Sequence, residues 1–490
     1  MNTLHACLGT IILASGLALG AEAVEYAASA GWWNANDGQA FSRAVSSPNA
    51  NGTLTTLNAN GALDTRGHPF FTSLGSNGRA CVTCHQPADG MSLGVATIQK
   101  RWLEAGPGDP LFSPNDGADC PDRPRADKAS HSLLLERGLF RIALPWPRRD
   151  AAGKALASDF TIEVVRDPTG CNASPAFGLA SKDPHVSVYR RPRPATNMKY
   201  ILAVGFPFDP KSGLPLKSDA QGHMVSEALM ADSRHLTLEA QARDALRTHL
   251  QMNGDPSPEQ IKQLIEFESG LTTAQSQDPW GRPLPGPELM EKSPGGALQS
   301  SRNPIFKEFS ALPSQPGETA EQRAFRESVG RGAKLFSTRQ FLVKDTTGIN
   351  TMGFGNPVRN SCAMCHNMQG SGIDVAPGRI DIGNANEPFA KPSPELPLFK
   401  LVCKPGARPH PYLGRVIYTQ DPGYAMTTGR CEDIGKIMTQ QMRGLSGRAP
   451  YFSNGAAKDL RELVEIYNRR YAIGFTEQEK ADLVNLMKVL

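Results

Sequence analysis

The pentapeptide Cys81-Val82-Thr83-Cys84-His85 recurs later in the chain as Cys362-Ala363-Met364-Cys365-His366. In a C-x-x-C-H sequence the two thiols add to the vinyl groups of a haem, and the histidine ligates the iron from one face. A structural zinc site would need four ligands at a different spacing, and a redox dithiol would need a strand–helix–strand setting. Neither pentad has these features, so the sequence predicts two covalently bound c-type haems.

Similar segments lie ahead of the two pentads. The first pentad follows Arg66-Gly67-His68-Pro69-Phe70-Phe71, and the second follows Arg331-Gly332-Ala333-Lys334-Leu335-Phe336. The shared arginine, glycine and final phenylalanine indicate one duplicated unit. In both copies we expect this segment to form the first helix of a cytochrome c domain, with its aromatic side chain packed near the haem edge.

The composition is that of a globular, exported protein. At 490 residues the chain is long enough for two or three domains. Its hydrophobic fraction of 39% and formal net charge of +4 do not indicate a nucleic-acid-binding protein. Residues 1–23 resemble a secretory signal peptide, with a short apolar core from Ile11 to Leu19 and an Ala21-Glu22-Ala23 cleavage site. No other apolar run is long enough to cross a membrane, so we expect a periplasmic protein without a membrane span.

Four cysteines remain outside the pentads of the processed chain. Of nine cysteines, cleavage after Ala23 removes Cys7 and the pentads use four. An even remainder in an exported protein favours two disulfides, and the alternative is a set of buried free thiols. Pairing by neighbourhood predicts the bridges Cys120–Cys171 and Cys403–Cys431.

Changes in composition divide the chain into segments. Residues 24–65 are rich in Ala, Asn, Gly and Ser and are interpreted as an N-terminal arm or loop. Stretches with many prolines and glycines indicate loop-rich insertions and a linker. The predicted segments are an N-terminal domain at 24–272 with an insertion at 101–190, a linker at 273–318, and a C-terminal domain at 319–490 with a second loop-rich stretch at 370–435.

Three segments have the period of amphipathic helices. In residues 236–252, the pattern repeats at spacings of three and four residues, which predicts a helix with Gln241 and His249 on one face. Thr476-Glu477-Gln478-Glu479 is a capping box that predicts the start of a final helix. The apolar residues expected on the buried faces of the last two helices are Leu460, Leu463, Val464, Tyr467, Leu483, Leu486, Met487 and Leu490.

Three further stretches carry a family resemblance. Residues 442–452 resemble an LRN-x(4)-APYFHDG motif, residues 463–468 resemble E-x-V-x-x-Y-N, and residues 232–242 resemble W-D-G-R-x-x-T-L-E-x-Q-A. With the two pentads, they make about half of the chain similar to the bacterial di-haem cytochrome c peroxidases and their MauG-like relatives. The resemblance implies a mainly α fold of two cytochrome c-like domains with long loop-rich insertions. It also implies that one haem reacts with peroxide while the other passes or stores electrons.

The resemblance implies different axial ligands for the two irons. Ordinary family members carry a histidine soon after the first pentad, but here no histidine lies between Gln86 and Ser130. The first iron is therefore expected to be open, and the alternative is that Met91 or His131 covers it. Tyr467 stands where MauG-like proteins have an axial tyrosinate. The alternatives are that Tyr467 is a core residue and that Met438 or Met442 ligates the second iron.

The expected proton-transfer group of the family is altered in this chain. Gln241 matches the family's glutamine, but the family's glutamate is replaced by Gln251, which cannot act as an acid or base. His249, on the same helix face as Gln241, is the titratable candidate, and the alternative is a solvated or core histidine. Ala231 replaces a tryptophan that relays electrons between the haems in the family.

These features predict an exported di-haem oxidoreductase. Hydrogen peroxide would react at the N-terminal haem, and the oxidising equivalents would be shared with the C-terminal haem. The partner would be an electron-donor protein, either a small cytochrome, a copper protein or a protein substrate. The resemblance also implies a Ca²⁺ between the domains, for which Asn197 and Thr439 are candidate ligands. The alternative function is that of a di-haem electron carrier without peroxidase chemistry.

Overall fold

Helices and short strands both contribute substantially to this fold. The computed structural model describes residues 27–28, 31–150, 153–209, 212–293, 305–374 and 378–490, so the predicted signal peptide lies outside the described residues. Helix accounts for 29% and strand for 18% of the structure, in several small sheets. The prediction of a mainly α fold is therefore wrong. Within the described ranges, no helix combines the length and the apolar character that a membrane span requires.

The helices in the described part of the chain are mostly short. They are α1 (Val95–Ala105), α2 (Pro114–Gly117), α3 (Ser132–Arg137), α4 (Met198–Ile201), α5 (Leu238–Thr248), α6 (Pro258–Gly270), α7 (Pro287–Lys292), α8 (Ala320–Thr338), α9 (Ala425–Thr428), α10 (Leu460–Arg470) and α11 (Glu477–Val489). The strands are β1 (Ala27–Ala28), β2 (Ala44–Asn49), β3 (Gly52–Asn58), β4 (Phe140–Pro145), β5 (Phe160–Arg166), β6 (His185–Arg190), β7 (Leu271–Gln277), β8 (Phe341–Val343), β9 (Val358–Asn360), β10 (Arg379–Ile380), β11 (Leu398–Cys403), β12 (Val416–Thr419) and β13 (Ile437–Met438).

The segment at 24–65 contains a β-hairpin, so its interpretation as an arm or loop is wrong. Strands β2 and β3 pair antiparallel, and β3 also pairs with β7 in a sheet of order β1-β2-β3-β7. Its buried positions include several hydroxyl residues that bond across the strands, as Ser46 does with Thr55 at 2.9 Å and Thr56 with Thr273 at 2.8 Å. Because these positions are polar, the alternation of apolar and polar residues that normally reveals a strand is missing.

The two insertions form one common unit. Strand β5 of the first insertion pairs antiparallel with β11 of the second, in a sheet of order β12-β11-β5, and β4 pairs with β6 beside it. Apolar side chains of both insertions share one core, which includes Phe160, Val188, Phe399, Leu401 and Ile417. Each insertion therefore buries its apolar face against the other, a long-range pairing that local sequence patterns do not reveal.

Both predicted disulfides are confirmed. Cys120 bonds to Cys171 and Cys403 bonds to Cys431, with Cα–Cα distances of 5.1 and 5.9 Å. Both pairs belong to the insertions, where each closes a loop. The prediction succeeded because the cysteines of each pair are close in sequence.

The predicted C-terminal helices are confirmed. Thr476 caps α11 with the expected capping box, since its hydroxyl accepts from the Glu479 N–H at 3.2 Å and the Glu479 carboxylate accepts from the Thr476 N–H at 2.8 Å. Helix α11 packs against α8, where Gly332 permits the contact because a Cβ there would lie 2.2 Å from the Asp482 carbonyl oxygen. Side chains of both helices, Phe336 of α8 and Leu483 and Met487 of α11, line the cavity beside the second pentad.

The helix predicted ahead of each pentad forms in one copy. Residues 331–336 lie within α8, as expected. Residues 66–71 form turns instead, because Pro69 has no backbone N–H to donate to a helical hydrogen bond. The aromatic contact nevertheless forms in both copies. The ring centroid of Phe70 is 6.3 Å from that of His85, and the ring centroid of Phe336 is 6.0 Å from that of His366.

Candidate functional site

The two pentads fold into the same local structure. Cys81–Thr83 and Cys362–Met364 are 3₁₀ turns, and each following histidine donates its backbone N–H to the first cysteine's carbonyl at 3.1 and 3.2 Å. The four pentad cysteines are free and half-buried, whereas the other cysteines of the described chain form disulfides. A single turn thus presents two thiols and one imidazole side by side in each half of the chain.

Both pentad histidines are oriented by the same type of hydrogen bond. His85 donates from Nδ1 to the Met91 carbonyl at 2.9 Å, and His366 donates from Nδ1 to the Gly372 carbonyl at 2.8 Å. Both acceptor residues have positive φ, 57° at Met91 and 67° at Gly372. This bond fixes the tautomer with Nε2 unprotonated, which is the arrangement that metal-ligating histidines use.

The surroundings of the second pentad fit a haem better than zinc or a redox dithiol. Cys362, Cys365 and His366 line a cavity of about 230 Å³, whose lining is predominantly apolar and which has many times the space that one water needs. Burial raises the pKa of Cys84 and of Cys362 to about 12, whereas redox dithiols and zinc sites rely on thiolates. The described residues include no group of three His, Cys, Asp or Glu side chains arranged to hold a metal ion.

Tyr467 lines the same cavity as the second pentad. It lies on α10, with its ring centroid 5.7 Å from that of Phe452 and 6.5 Å from that of Tyr471. Burial raises the pKa of the Tyr467 phenol, and Tyr471 and Cys365 add to this effect. The Tyr471 hydroxyl bonds to the Thr346 hydroxyl at 2.9 Å, whereas the Tyr467 hydroxyl makes no hydrogen bond to the described residues. A phenol oxygen without a partner thus accompanies His366 in the cavity.

The two rival methionines also line this cavity but have other packing partners. The Sδ atom of Met442 lies 3.1 Å from where a Cβ on Gly372 would stand, and Gly372 is the residue that accepts from His366 Nδ1. Met442 therefore packs against the residue that orients His366. The Cε atom of Met438 packs against Gly378 in the same way. Tyr467 remains the predicted axial ligand.

The two alternative ligands of the first iron have other roles in the structure. Both ring nitrogens of His131 lie at hydrogen-bonding distance from backbone carbonyls, 2.8 Å from Gly117 and 2.9 Å from Arg125, so neither is free for iron. The Met91 carbonyl accepts from His85 Nδ1, and the Met91 side chain is buried. His131 is therefore engaged elsewhere, and the open coordination of the first iron stays a prediction.

His249 forms a buried ionic network that the sequence did not reveal. It caps the C-terminus of α5, and its Nδ1 lies 2.6 Å from a carboxylate oxygen of Asp116. Asp116 also pairs with the fully buried Arg79. Burial alone would raise the pKa of Asp116, but Arg79 and His249 hold it below its usual value. Burial lowers the pKa of His85 to about 4, with a smaller contribution from the nearby charge of His249.

The network depends on the first insertion. Asp116 belongs to residues 101–190, and Arg79 stands two residues before Cys81, so the insertion fixes the imidazole of His249 beside the first pentad. The His249 side chain is 31% exposed, and its Nε2 makes no hydrogen bond within the described chain. An imidazole with Nδ1 bound to a carboxylate and Nε2 free has the arrangement of a proton-transfer group.

The two glutamines of the sequence prediction lie apart from this network. Gln241 is on α5 and partly buried, but its side chain has no hydrogen bond to His249 or to any other described residue. Gln251 is exposed and has a φ of 56°, in the turn that follows α5. The proposed role of Gln241 therefore remains a prediction from the resemblance.

Glu268 is a titratable group near the first pentad that the sequence analysis missed. It lies near the end of α6, where burial raises its pKa to about 7. Its charge contributes to the raised pKa of the Cys81 thiol, which places the carboxyl group close to the haem-attachment residues. Nothing in the local sequence distinguishes this glutamate from its exposed neighbour Glu266.

The raised pKa of Glu268 predicts a pH-dependent stability. The folded protein retains this proton up to about pH 7, whereas the unfolded chain releases it near the ordinary glutamate value of 4.5. The stability of the wild type should therefore fall between these pH values relative to Glu268→Gln, by at most about 3 kcal/mol. Thermal denaturation of both proteins from pH 4.5 to 7.5 measures the difference. Glu266→Gln, on the exposed face of α6, should follow the wild type, and parallel curves for wild type and Glu268→Gln would contradict the assignment.

The candidate calcium ligands are already engaged by protein groups. The Asn197 side chain donates to the Gln441 side chain at 2.6 Å and to the Thr273 carbonyl at 3.0 Å, and it accepts from the Thr273 N–H at 3.1 Å. The Thr439 hydroxyl donates to the Gly378 carbonyl at 3.0 Å. The Asn197–Gln441 bond joins the two halves of the chain, and the calcium site remains a prediction from the resemblance.

Comparisons with known proteins add one distant likeness. No family model and no curated protein matches the chain. Among solved structures, the chain is similar to the crystal structure of a MauG-like protein associated with microbial copper homeostasis, with 16% identity and a TM-score of 0.27. The match covers 60% of this chain and 80% of that one. A likeness at this level does not by itself show a common fold or a common function.

Proposed function

We propose that this protein is an exported di-haem oxidoreductase that reacts with hydrogen peroxide. Peroxide would react at the haem on Cys81, Cys84 and His85, and the haem on the second pentad would share the oxidising equivalents. The observation that carries the proposal is an asymmetry between two otherwise matched sites. Both pentad histidines have the same Nδ1–H···O=C bond, but an unpartnered phenol accompanies the second pentad and a carboxylate-bound imidazole accompanies the first.

At the first site the chain would supply the proton transfer. A haem bound there supplies an iron that accepts oxidising equivalents from peroxide. Cleavage of the O–O bond requires that a proton move from one peroxide oxygen to the other, which departs as water. His249 Nε2 would take and return this proton, while Asp116 holds Nδ1 and stabilises the transient imidazolium. Arg79 keeps Asp116 ionised and fixed in position.

At the second site Tyr467 would set the preference for higher oxidation states. Burial disfavours an isolated phenolate, so the phenol is expected to lose its proton only where a metal cation replaces it. An anionic oxygen ligand then favours the ferric over the ferrous state. This site is therefore suited to hold oxidising equivalents until a donor supplies electrons.

The proposal includes a cellular setting and a class of electron donor. Two disulfides suit an oxidising compartment, and together with the signal-like residues 1–23 they support a periplasmic location. The donor would be a small cytochrome, a copper protein or a protein substrate. A di-haem electron carrier is the alternative, favoured by the replacement of the family's glutamate by the exposed Gln251.

The haem content is the first test of the proposal. The reduced pyridine haemochrome spectrum should show two c-type haems per chain, since each pentad supplies both thiols and a histidine. The double substitution Cys81→Ala and Cys84→Ala should reduce this ratio to one. A wild-type protein without c-type bands would end both the enzyme and the carrier proposals.

Peroxide-dependent turnover separates the enzyme from the carrier. With a reduced artificial donor in excess, the holoprotein should oxidise the donor upon addition of hydrogen peroxide, with two electrons per peroxide. The Cys81→Ala, Cys84→Ala variant should retain donor binding at its remaining haem but lose the turnover. A carrier would accept and return electrons without consuming peroxide.

A further inference from the structure

Two buried arginines at the second haem cavity lack a carboxylate partner. Arg191 and Arg448 both line the cavity that contains Cys362, His366 and Tyr467, and each is only 7% exposed. Neither forms an ion pair with a described carboxylate. A buried charge is costly unless an opposite charge and hydrogen bonds compensate for it.

Most other buried arginines in the described chain have the carboxylate partner that Arg191 and Arg448 lack. Four of them pair with carboxylates, namely Arg79 with Asp116, Arg190 with Asp232 and Asp421, Arg326 with Asp278, and Arg443 with Glu308. Arg141 and Arg148 also lack a carboxylate, but neither of them lines the cavity. The combination of burial, missing counter-charge and cavity lining is therefore specific to Arg191 and Arg448 among the described arginines.

Backbone carbonyls satisfy only part of these guanidinium groups. Arg448 donates from Nη2 to the Gln441 carbonyl at 2.8 Å and from Nε to the Gly444 carbonyl at 3.2 Å. Its Nη1 makes no hydrogen bond within the described chain. Arg191 donates from Nη2 to the carbonyls of Leu93 at 2.6 Å and Arg448 at 2.9 Å, and from Nη1 to the Arg137 carbonyl at 3.1 Å. The two cations are thus held next to each other, and Nη1 of Arg448 and Nε of Arg191 are the nitrogens without a hydrogen bond to the described residues.

The electrostatics of the pair agree with a missing anion. Burial lowers the pKa of Arg191 to about 10, and the charge of Arg448 lowers it further, while burial also lowers the pKa of Arg448 to about 10. The carboxyl group of Asp89, which acts electrostatically on Arg191, already accepts from the Gly94 N–H at 2.9 Å and the Thr97 hydroxyl at 2.8 Å. An external carboxylate between the two guanidinium groups would supply the missing negative charge and raise the pKa of both arginines towards the ordinary value.

We infer that Arg191 and Arg448 form the binding site for the propionate carboxylates of the haem attached at Cys362 and Cys365. The inference rests on the proposed haem of the second pentad, and it commits to the carboxylates of that haem rather than to a free anion. Planar guanidinium groups match carboxylates with paired N–H donors. Since Arg191 also holds Leu93, two residues after Met91, the same pair connects the second haem with the backbone that orients His85.

The test follows the ionisation of the haem carboxylates. Haem-loaded protein is produced with carboxyl-labelled δ-aminolevulinic acid, so that infrared bands of the haem propionates shift away from those of protein carboxylates. In the wild type, part of the labelled groups should stay ionised at pH 4, because arginine pairing lowers a carboxyl pKa by about one to three units. Arg448→Gln should raise the pKa of these groups by one unit or more.

Arg193→Gln is the matched control. Arg193 has a pKa lowered by burial and by Arg448, but it does not line the cavity. Its substitution should leave the labelled bands as in the wild type. An identical propionate titration in the wild type and in Arg448→Gln, with both haems attached, would overturn the inference. If Arg448→Gln does not fold, the titration of the wild type alone tests the inference. Protonation of all labelled propionates near pH 4.5 in the wild type would also overturn the inference. Loss of c-type bands, by contrast, tests the proposed function.

Discussion

Replacing His249 by alanine is expected to slow the reaction of the ferric protein with hydrogen peroxide by about 100-fold, the usual contribution of a positioned acid–base group. The imidazole is the side chain near the first pentad that combines a carboxylate-bound Nδ1 with a free Nε2. Without it, the proton must reach the departing oxygen through solvent. Stopped-flow absorbance of the haem bands at varied peroxide concentration gives the second-order rate constant.

Two further variants separate a positioning effect from a general loss of structure. Asp116→Asn keeps a polar partner for Nδ1 but removes the negative charge, so the rate should fall by about tenfold and its pH profile should shift. His235→Ala is the matched control, because His235 lies 2.9 Å from Asp244 of α5 and contacts neither Asp116 nor Arg79 among the described residues. A His249→Ala rate constant within a few-fold of the wild type ends the proposed role of this residue.

Replacing Tyr467 by phenylalanine is expected to change the electronic spectrum of the second haem and to raise its midpoint potential by on the order of 100 mV. The substitution removes an anionic oxygen ligand and leaves the aromatic ring in place. The ferrous state should then be more accessible, and the ability to hold oxidising equivalents should decrease. Absorbance and electron paramagnetic resonance spectra of the ferric protein, followed by a potentiometric titration, measure these changes.

Tyr471→Phe is the matched control for this variant. Tyr471 lines the same cavity one helical turn further on, but its hydroxyl is engaged by Thr346. Its removal should cost some stability and leave the second haem's spectrum as in the wild type. An unchanged spectrum in Tyr467→Phe, or an equal change in both variants, would be incompatible with Tyr467 as the axial ligand.

The sequence predicted those features that local residues determine. The capping box at Thr476 fixes the start of α11, and cysteines close in sequence identify both disulfides. The hairpin of β2 and β3 was missed because its buried Ser and Thr positions have no apolar alternation. The strands of the two insertions were missed because β5 and β11 are far apart in sequence and become partners only in the folded chain.

The residues of the candidate sites also fall into those that the local sequence predicts and those that only the tertiary fold brings together. Each pentad is contiguous, so its two thiols and histidine could be predicted directly. The partners of His249 could not, because Asp116 lies in an insertion without a recognisable pattern and meets the imidazole only through the tertiary fold. The same holds for Arg191 and Arg448, whose proximity brings together residues of both halves of the chain. Long-range contacts of this kind leave no periodic signal in one sequence.

One measurement tests the central claim most directly. The ferric holoprotein is mixed with one equivalent of hydrogen peroxide at sub-millimolar concentration, and the haem absorbance is followed from milliseconds onwards. Our account predicts a prompt spectral change that involves both haems, because an open first site reacts and the second site shares the oxidising equivalents. A di-haem protein whose spectrum shows no prompt change under these conditions would contradict the account and would be an electron carrier.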